Sequence, residues 1–378
     1  MEYYMEWIQC DYFLTWTADV IFHQASGKAT FGSDEMTPLE TNSLCWIASM
    51  TKLVTAVAVM QLVERGDVSL DDDVCQIIPE LKDIPVLQSA GHGMELASEG
   101  SHLLNGYHHP LLFQPGTSWG YGGGIDWAGR LVRRHSPKYS DMRSLSDTND
   151  GQIEYVTHST LEKFMQCNIW SKIGATNTTF RPELYQNKLP HQLEMGQRTN
   201  GGSGKSSIVP GKIILNRPTE DNLGGIGLFS TATDFAKLLS ALLKDGYPLL
   251  SKTSTDILFG TQLSEQARLA MPKHLGAQMR RILGIKNVTD VVQADHTLAG
   301  TVLLKDIPGR RRKGSINWSG LPNLHWWIDR ETGIAAALFT QMMPPGDAAV
   351  TSLLIELETA LYSRFQVKNY EKKEAFKL

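Results

Sequence analysis

Cysteine is scarce. Four residues in 378, Cys10, Cys45, Cys75 and Cys167, stand far apart with no C-x-x-C spacing, which excludes a disulfide framework and a zinc ribbon. Reduced thiols in a cytoplasmic protein fit that usage. No uncharged run reaches the roughly 18 to 20 residues of a membrane span. The start, Met1-Glu2-Tyr3-Tyr4-Met5-Glu6, has neither a basic nor an apolar segment, so no signal peptide is read there and the three sequons at Asn177, Asn287 and Asn317 read as unused. Excess positive charge is also missing. The 36 Lys and Arg against 40 Asp and Glu leave a net charge of −4, which argues against nucleic acid as a partner. The one basic cluster, Arg310-Arg311-Arg312-Lys313, reads as a solvated loop. The 11 histidines include His108-His109 but no H-E-x-x-H, so no metal or other cofactor is expected. Gly204-Lys205-Ser206 resembles the end of a phosphate loop, yet Thr199 stands where that loop needs its first glycine.

What is present is an ordinary globular composition, 42% apolar and 20% charged, long enough for one large domain or two closely packed ones. The chain is organised around residues 47–66. After Lys52 this stretch is apolar on nearly every face until Gln61, which predicts a helix buried on all sides, with Gly66 as its left-handed stop. Ser49 and Lys52 open that helix. Three residues apart on one face, they lie within reach of each other, and the helix N-terminus adds free N–H groups. A serine hydroxyl becomes a good nucleophile only when something removes its proton, and an amine so placed can do that. Ser-x-x-Lys also arises by chance, although here it occurs once.

Along the chain, Phe13 to Phe22 and Ala29 to Gly32 read as strands around a turn at residues 25–28. Residues 67–135 read as loops, rich in Gly, Pro, Asp and His. Within them a glycine-rich stretch carries Tyr121 just ahead of a helix for which Asp126 is a plausible N-cap. A tyrosine beside glycines also suits plain packing. Ser159-Thr160-Leu161-Glu162 reads as a capping box, Gln197 to Lys205 as a polar link, and Thr231-x-x-Asp234 as the cap of a helix with Phe235, Leu238, Leu239, Leu242 and Leu243 on one face. Residues 250–310 give no clear pattern. Gly314 to Leu321, Asn323 to Arg330 and Ile334 to Gln341 predict three antiparallel strands, followed by a helix burying Val350, Leu353, Leu354, Leu357 and Leu361. This predicts an α/β (α+β) architecture. Residues 1–48 and 236–378 would form the antiparallel sheet domain, residues 49–235 a helical lobe, and the cleft between them the site.

Three signals fall in one order: Ser49-x-x-Lys52, Tyr121 after Pro115-Gly116, and Trp318-Ser319-Gly320 on a late strand. In that order, with Gly224-Gly225 ahead of Ser230-Thr231-Ala232-x-Asp234, the chain resembles the serine β-lactamase and penicillin-binding-protein family, in its class C and esterase branch. The strings Tyr121 to Gly129, Trp318-x-Gly320-x-Pro322-Asn323 and Gln341 to Asp347 resemble most the fungal lovastatin-type acyltransferases, or transesterases. The resemblance covers most of the chain. It implies a β-lactamase/transpeptidase-like fold and an acyl-serine mechanism with Ser49, Lys52 and Tyr121 as catalytic residues. It also implies that the amides of Ser49 and Leu321 hold the oxyanion and that Trp318 and Gly320 contact substrate. Gly123 replaces the family's second-motif Asn, and Trp318-Ser319-Gly320 replaces Lys-Thr-Gly. With no cation at Trp318, strong lactamase activity is not expected, and an aromatic wall suits an apolar acyl chain better. The usual Leu-Leu-x-His-x-Ser-Gly segment is missing after Asp83, with His102-Leu103-Leu104 as its trace, which implies a shortened lobe. The implied function is acyl transfer in secondary (polyketide-type) metabolism, from a thioester or ester donor, with an acyl-carrier domain as a possible source, to an alcohol acceptor. Simple ester hydrolysis and a binding scaffold without turnover are the alternatives.

Overall fold

Both ends of the chain supply strands to one sheet. In the computed structural model, which describes residues 9–16, 19–31, 37–86, 103–135, 160–185, 188–200, 206–215, 217–285 and 293–375, strands β1 (Cys10–Trp16) and β2 (Asp19–Ser26) join β7 (Ala294–His296), β8 (Thr301–Leu303), β9 (Ile316–Gly320), β10 (Leu324–Asp329) and β11 (Ile334–Phe339). The order is β2-β1-β11-β10-β9-β8-β7, with antiparallel neighbours. Every residue of β10 and β11 is buried, as expected of central strands covered on both sides. The three C-terminal strands fall where their pattern predicts them. At the N-terminus the expected single strand from Phe13 to Phe22 is instead two, β1 and β2. The run folds back on itself, so that Trp16 at the end of β1 pairs with Asp19 at the start of β2. Instead of a strand after residue 28, an isolated bridge joins Lys28 to Pro38; Gly32 lies outside the described residues.

One face of the sheet packs against helices α1 (Thr51–Arg65) and α5 (Ala232–Leu243), in a cluster that includes Val54, Val57, Phe235, Leu239, Trp326 and Phe339. The other face carries Trp327, Ala336 and Leu338 against α8 (Ala277–Ile282) and α9 (Ala348–Ala375). The middle of the chain adds α2 (Leu103–Tyr107), α3 (Gly124–His135) and α4 (Thr160–Met165), which is followed by a π turn over Gln166–Trp170. The unassigned stretch forms α6 (Lys252–Phe259), α7 (Glu265–His274), α8, β7 and β8, each too short to leave a periodic signature. Strand β3 (Cys45–Trp46) pairs with β6 (Phe229–Ser230). Among the described residues no helix is long and apolar enough to cross a membrane, and all four cysteines are free thiols.

Several local expectations change in the fold. Gly66 does end α1 in the left-handed conformation, at φ 73°. Thr231 does cap α5, its hydroxyl accepting from the Asp234 N–H at 3.2 Å. Ser159 lies outside the described residues. The Glu162 carboxylate accepts from the Phe180 N–H and the Thr179 hydroxyl, both at 2.8 Å. Part of the predicted polar link is strand: β4 (Gly196–Asn200) pairs with β5 (Ser206–Pro210) and, in parallel, with β12 (Met342–Met343), a partner far away in sequence. Residues 201–205 lie outside the described residues. The basic run is not simply solvated. Arg310 and Arg311 are buried against the Glu358 carboxylate of α9 at 2.6 and 2.8 Å, and only Arg312 and Lys313 face outward.

Candidate active site

Ser49 lies in a tight turn, Ala48–Met50, that runs directly into α1. Ala48 holds φ at +44°, a left-handed conformation that costs a residue with a Cβ some strain, and this kink presents the next residue at the head of the helix. The Thr51 hydroxyl locks the turn by donating to the Ala48 carbonyl at 2.6 Å. From the other side β9 closes onto the turn at Gly320. A Cβ there would lie 2.6 Å from the Ile47 carbonyl oxygen, so glycine is what lets the strand come this close.

The three residues predicted from sequence meet at this point. Ser49 Oγ and Tyr121 Oη share a hydrogen bond at 2.5 Å, and Lys52 Nζ donates to Ser49 Oγ at 3.4 Å. Lys52 Nζ also lies 4.8 Å from the centre of the Tyr121 ring. Its stronger hydrogen bond, 2.9 Å, goes to the carbonyl of Gly225. Trp318 on β9 stacks on Tyr121, with ring centres 5.8 Å apart. His296 on β7 meets the Trp318 ring edge-on at 5.5 Å and lies 5.9 Å from Trp119. Burial pushes the His296 imidazole below its ordinary value, and its Nδ1, 2.6 Å from the Thr297 carbonyl, fixes the ring against the aromatic wall. Gly320 and Leu321 line the same cavity as Ser49.

Gly123, at the family's Asn position, is explained by Tyr107 of α2. A Cβ at residue 123 would lie 2.3 Å from Cδ1 of that ring, leaving no room for a side chain. The cavity above Ser49 has a volume of about 1230 Å³. It is walled mainly by apolar groups, among them Leu111, Leu112, Phe113, Trp119, Ile214 and Trp318. Such a space suits an apolar acyl chain together with a sizeable second substrate.

Sequence reasoning missed two contributors. Asp126 does not cap α3, which begins at Gly124. Its buried carboxylate turns inward and accepts from the Gly225 N–H at 2.7 Å. His296 lies in the stretch that gave no pattern. An acid among the apolar residues Trp127, Leu131 and Val132 was the available signal for Asp126; His296 left none.

A nucleophile candidate at the head of a buried helix, a lysine one turn on, and a tyrosine loop facing both define a class of acyl-transferring serine enzymes. The sequence profile of the β-lactamase family matches residues 15–360, and the chain belongs to that family. Among curated relatives, monacolin J acid methylbutanoyltransferase from Aspergillus terreus is 28% identical, covering 90% of this chain and 87% of its own. A lovastatin esterase from Penicillium rubens is 29% identical, with 94% and 92% covered. Among solved structures, a mutant simvastatin synthase from Aspergillus terreus superposes with a TM-score of 0.77 at 27% identity, over 96% of this chain and 92% of that one. The fold is therefore the β-lactamase/transpeptidase type, and the chain is an enzyme of the acyltransferase and esterase kind.

Proposed function

We propose that the protein is a serine acyltransferase of secondary metabolism, of polyketide type, moving an acyl group from a thioester or ester donor to an alcohol acceptor. One observation carries the reading: Ser49 Oγ lies 2.5 Å from Tyr121 Oη and 3.4 Å from Lys52 Nζ beside a large, mostly apolar cavity. In the first step Ser49 Oγ bonds to the acyl carbon as the carbon–sulfur or carbon–oxygen bond of the donor breaks. The serine proton passes to the Lys52 and Tyr121 pair and then to the leaving thiol or alcohol. The amides of Ser49 and Leu321 hold the oxyanion, where one such donor is typically worth about 2.7 to 4 kcal/mol. In the second step the acceptor hydroxyl loses its proton to the same pair and attacks the acyl-serine, freeing Ser49. Trp318 walls the acyl chain, and Gly320 lets that wall approach.

The domain plan fits this chemistry, with the sheet of residues 1–48 and 236–378 meeting the lobe of residues 49–235 at the cleft. Relatives named as methylbutanoyltransferases support transfer of a short branched acyl group. An acyl-carrier domain is a natural source of such a thioester. Hydrolysis is the second reading, favoured by the relative named lovastatin esterase. Incubation with acyl thioesters, with and without candidate alcohols, separates the two. Transfer predicts that alcohol diverts the acyl group into a new ester. Release as free acid at the same rate with or without alcohol would leave the esterase reading.

A further inference from the structure

Lys52 Nζ is aimed at Ser49 by a backbone group, and that group is itself held. The Gly225 carbonyl takes the 2.9 Å hydrogen bond from Lys52. The N–H of the same residue donates to Asp126 Oδ1 at 2.7 Å. One residue earlier, the Gly224 carbonyl accepts from the Thr55 hydroxyl on α1 at 2.6 Å. The Gly224–Gly225 segment is thus clamped between α1 and α3. Both glycines are closely packed: a Cβ at Gly225 would lie 2.3 Å from Asp126 Oδ2, and one at Gly224 would be tight, 3.1 Å from both the Ile125 carbonyl and Thr55 Oγ1. Asp126 is 2% exposed, and the other anchor of α3 at this contact is Gly129, which meets Gly224 backbone to backbone. A buried carboxylate that reaches out to the backbone N–H of a neighbouring loop, with the Lys52 charge close by, is more than a packing residue.

We propose that Asp126 is a positioning residue for acyl transfer: through the Gly225 peptide it fixes the carbonyl that aims Lys52 Nζ at Ser49 Oγ. The proposal rests on the reading of Ser49 as nucleophile and Lys52 as its proton acceptor. Asp126 acts through the peptide it holds: it is 2% exposed at the edge of the cavity, and its Oδ1 is taken by the Gly225 N–H. When its acceptor oxygen is removed, the Gly225 peptide is free to turn, the Lys52 amine loses its anchor, and acylation slows more than substrate binding weakens. Misplacing a proton acceptor by a fraction of its hydrogen-bond length is enough to slow such a step by about tenfold to a hundredfold.

The test is the rate of Ser49 acylation, read by intact mass after mixing with a short-chain acyl thioester, for the wild type, S49A, D126A, D126N and T55V. D126A should lower the acylation rate constant about tenfold to a hundredfold, with the concentration for half-saturation little changed. D126N keeps an oxygen that can accept from the Gly225 N–H and should recover most of that rate. T55V removes the second clamp on the same segment and should slow acylation several-fold, which keeps the proposal testable if D126A does not fold. A folded D126A that acylates like the wild type would overturn the proposal, as would a D126N as slow as D126A, or, where D126A does not fold, a T55V at the wild-type rate. Absence of label on the wild type, or label persisting on S49A, would instead overturn the nucleophile reading itself.

Discussion

Two polar clusters sit on opposite faces of the sheet, one closed and one open, and they are built to opposite ends. Behind it, Arg310 and Arg311 are closed against Glu358, both guanidinium groups also donating to the Ile282 carbonyl, while Tyr362 donates to Asp329 at 2.7 Å. In front of it, Lys52, Ser49 and Tyr121 are joined by hydrogen bonds but open onto the cavity, with Tyr121 56% exposed. The closed cluster spends its charges on tying α8 and α9 to the loop before β9. The open one leaves a hydroxyl and an amine facing a space where substrate fits. Buried charge by itself therefore does not mark a site. What distinguishes the front cluster is a nucleophile candidate at the edge of a cavity.

Breaking each cluster should expose that difference. Glu358→Ala strands two buried guanidinium groups and should destabilise the fold by about 3 to 5 kcal/mol, measured by denaturant unfolding. The fraction still folded should keep its acylation rate, since Arg310, Arg311 and Glu358 make no hydrogen bond to Ser49, Lys52 or Tyr121. Tyr121→Phe should do the reverse, leaving stability almost untouched while slowing acylation roughly a hundredfold to a thousandfold, the usual range for a lost proton-transfer partner. His325, on the rear face, sharpens the contrast. Burial, with the nearby Arg311 charge adding to it, pushes its imidazole down to about 3 from an ordinary 6.5. It stays neutral in the folded chain while the unfolded chain takes up a proton, so stability should fall as pH drops from 6.5 toward 3, by roughly 1 kcal/mol per pH unit. His325→Gln should flatten that slope, read by unfolding at a series of pH values. The smallest effect is expected from Trp318→Ala, which removes the wall beside Tyr121 and should raise the half-saturating donor concentration about tenfold for a long acyl chain and less for acetyl, consistent with lost aromatic contact area.

Much of the front cluster was legible in the sequence because its parts are local. Ser49 and Lys52 share one helix turn, and Tyr121 sits in a glycine-rich loop whose composition is distinctive. The rear cluster was not legible, and the basic run was read as solvent-facing, because its partner Glu358 lies 48 residues on from Arg310 and no local pattern announces the pairing. The same holds for β4, which looked like a polar link until its partners β5 and β12 stood beside it. The three C-terminal strands showed plainly, since they follow one another closely, are rich in Ile, Leu, Trp and Phe, and are separated by turn residues such as Glu331-Thr332-Gly333. Asp126 was visible as a residue but misread in role: a helix start favours Asp as a cap, and only the fold shows that its carboxylate is turned toward Gly225.

The most direct test is the mass of the intact protein after brief exposure to a short-chain acyl thioester, followed by peptide mapping. A gain of one acyl group carried on Ser49, absent in Ser49→Ala and discharged by an alcohol acceptor, is the result expected. A wild-type protein that turns the thioester over with no acyl group ever found on Ser49, or a Ser49→Ala variant that reacts at the wild-type rate, would contradict it.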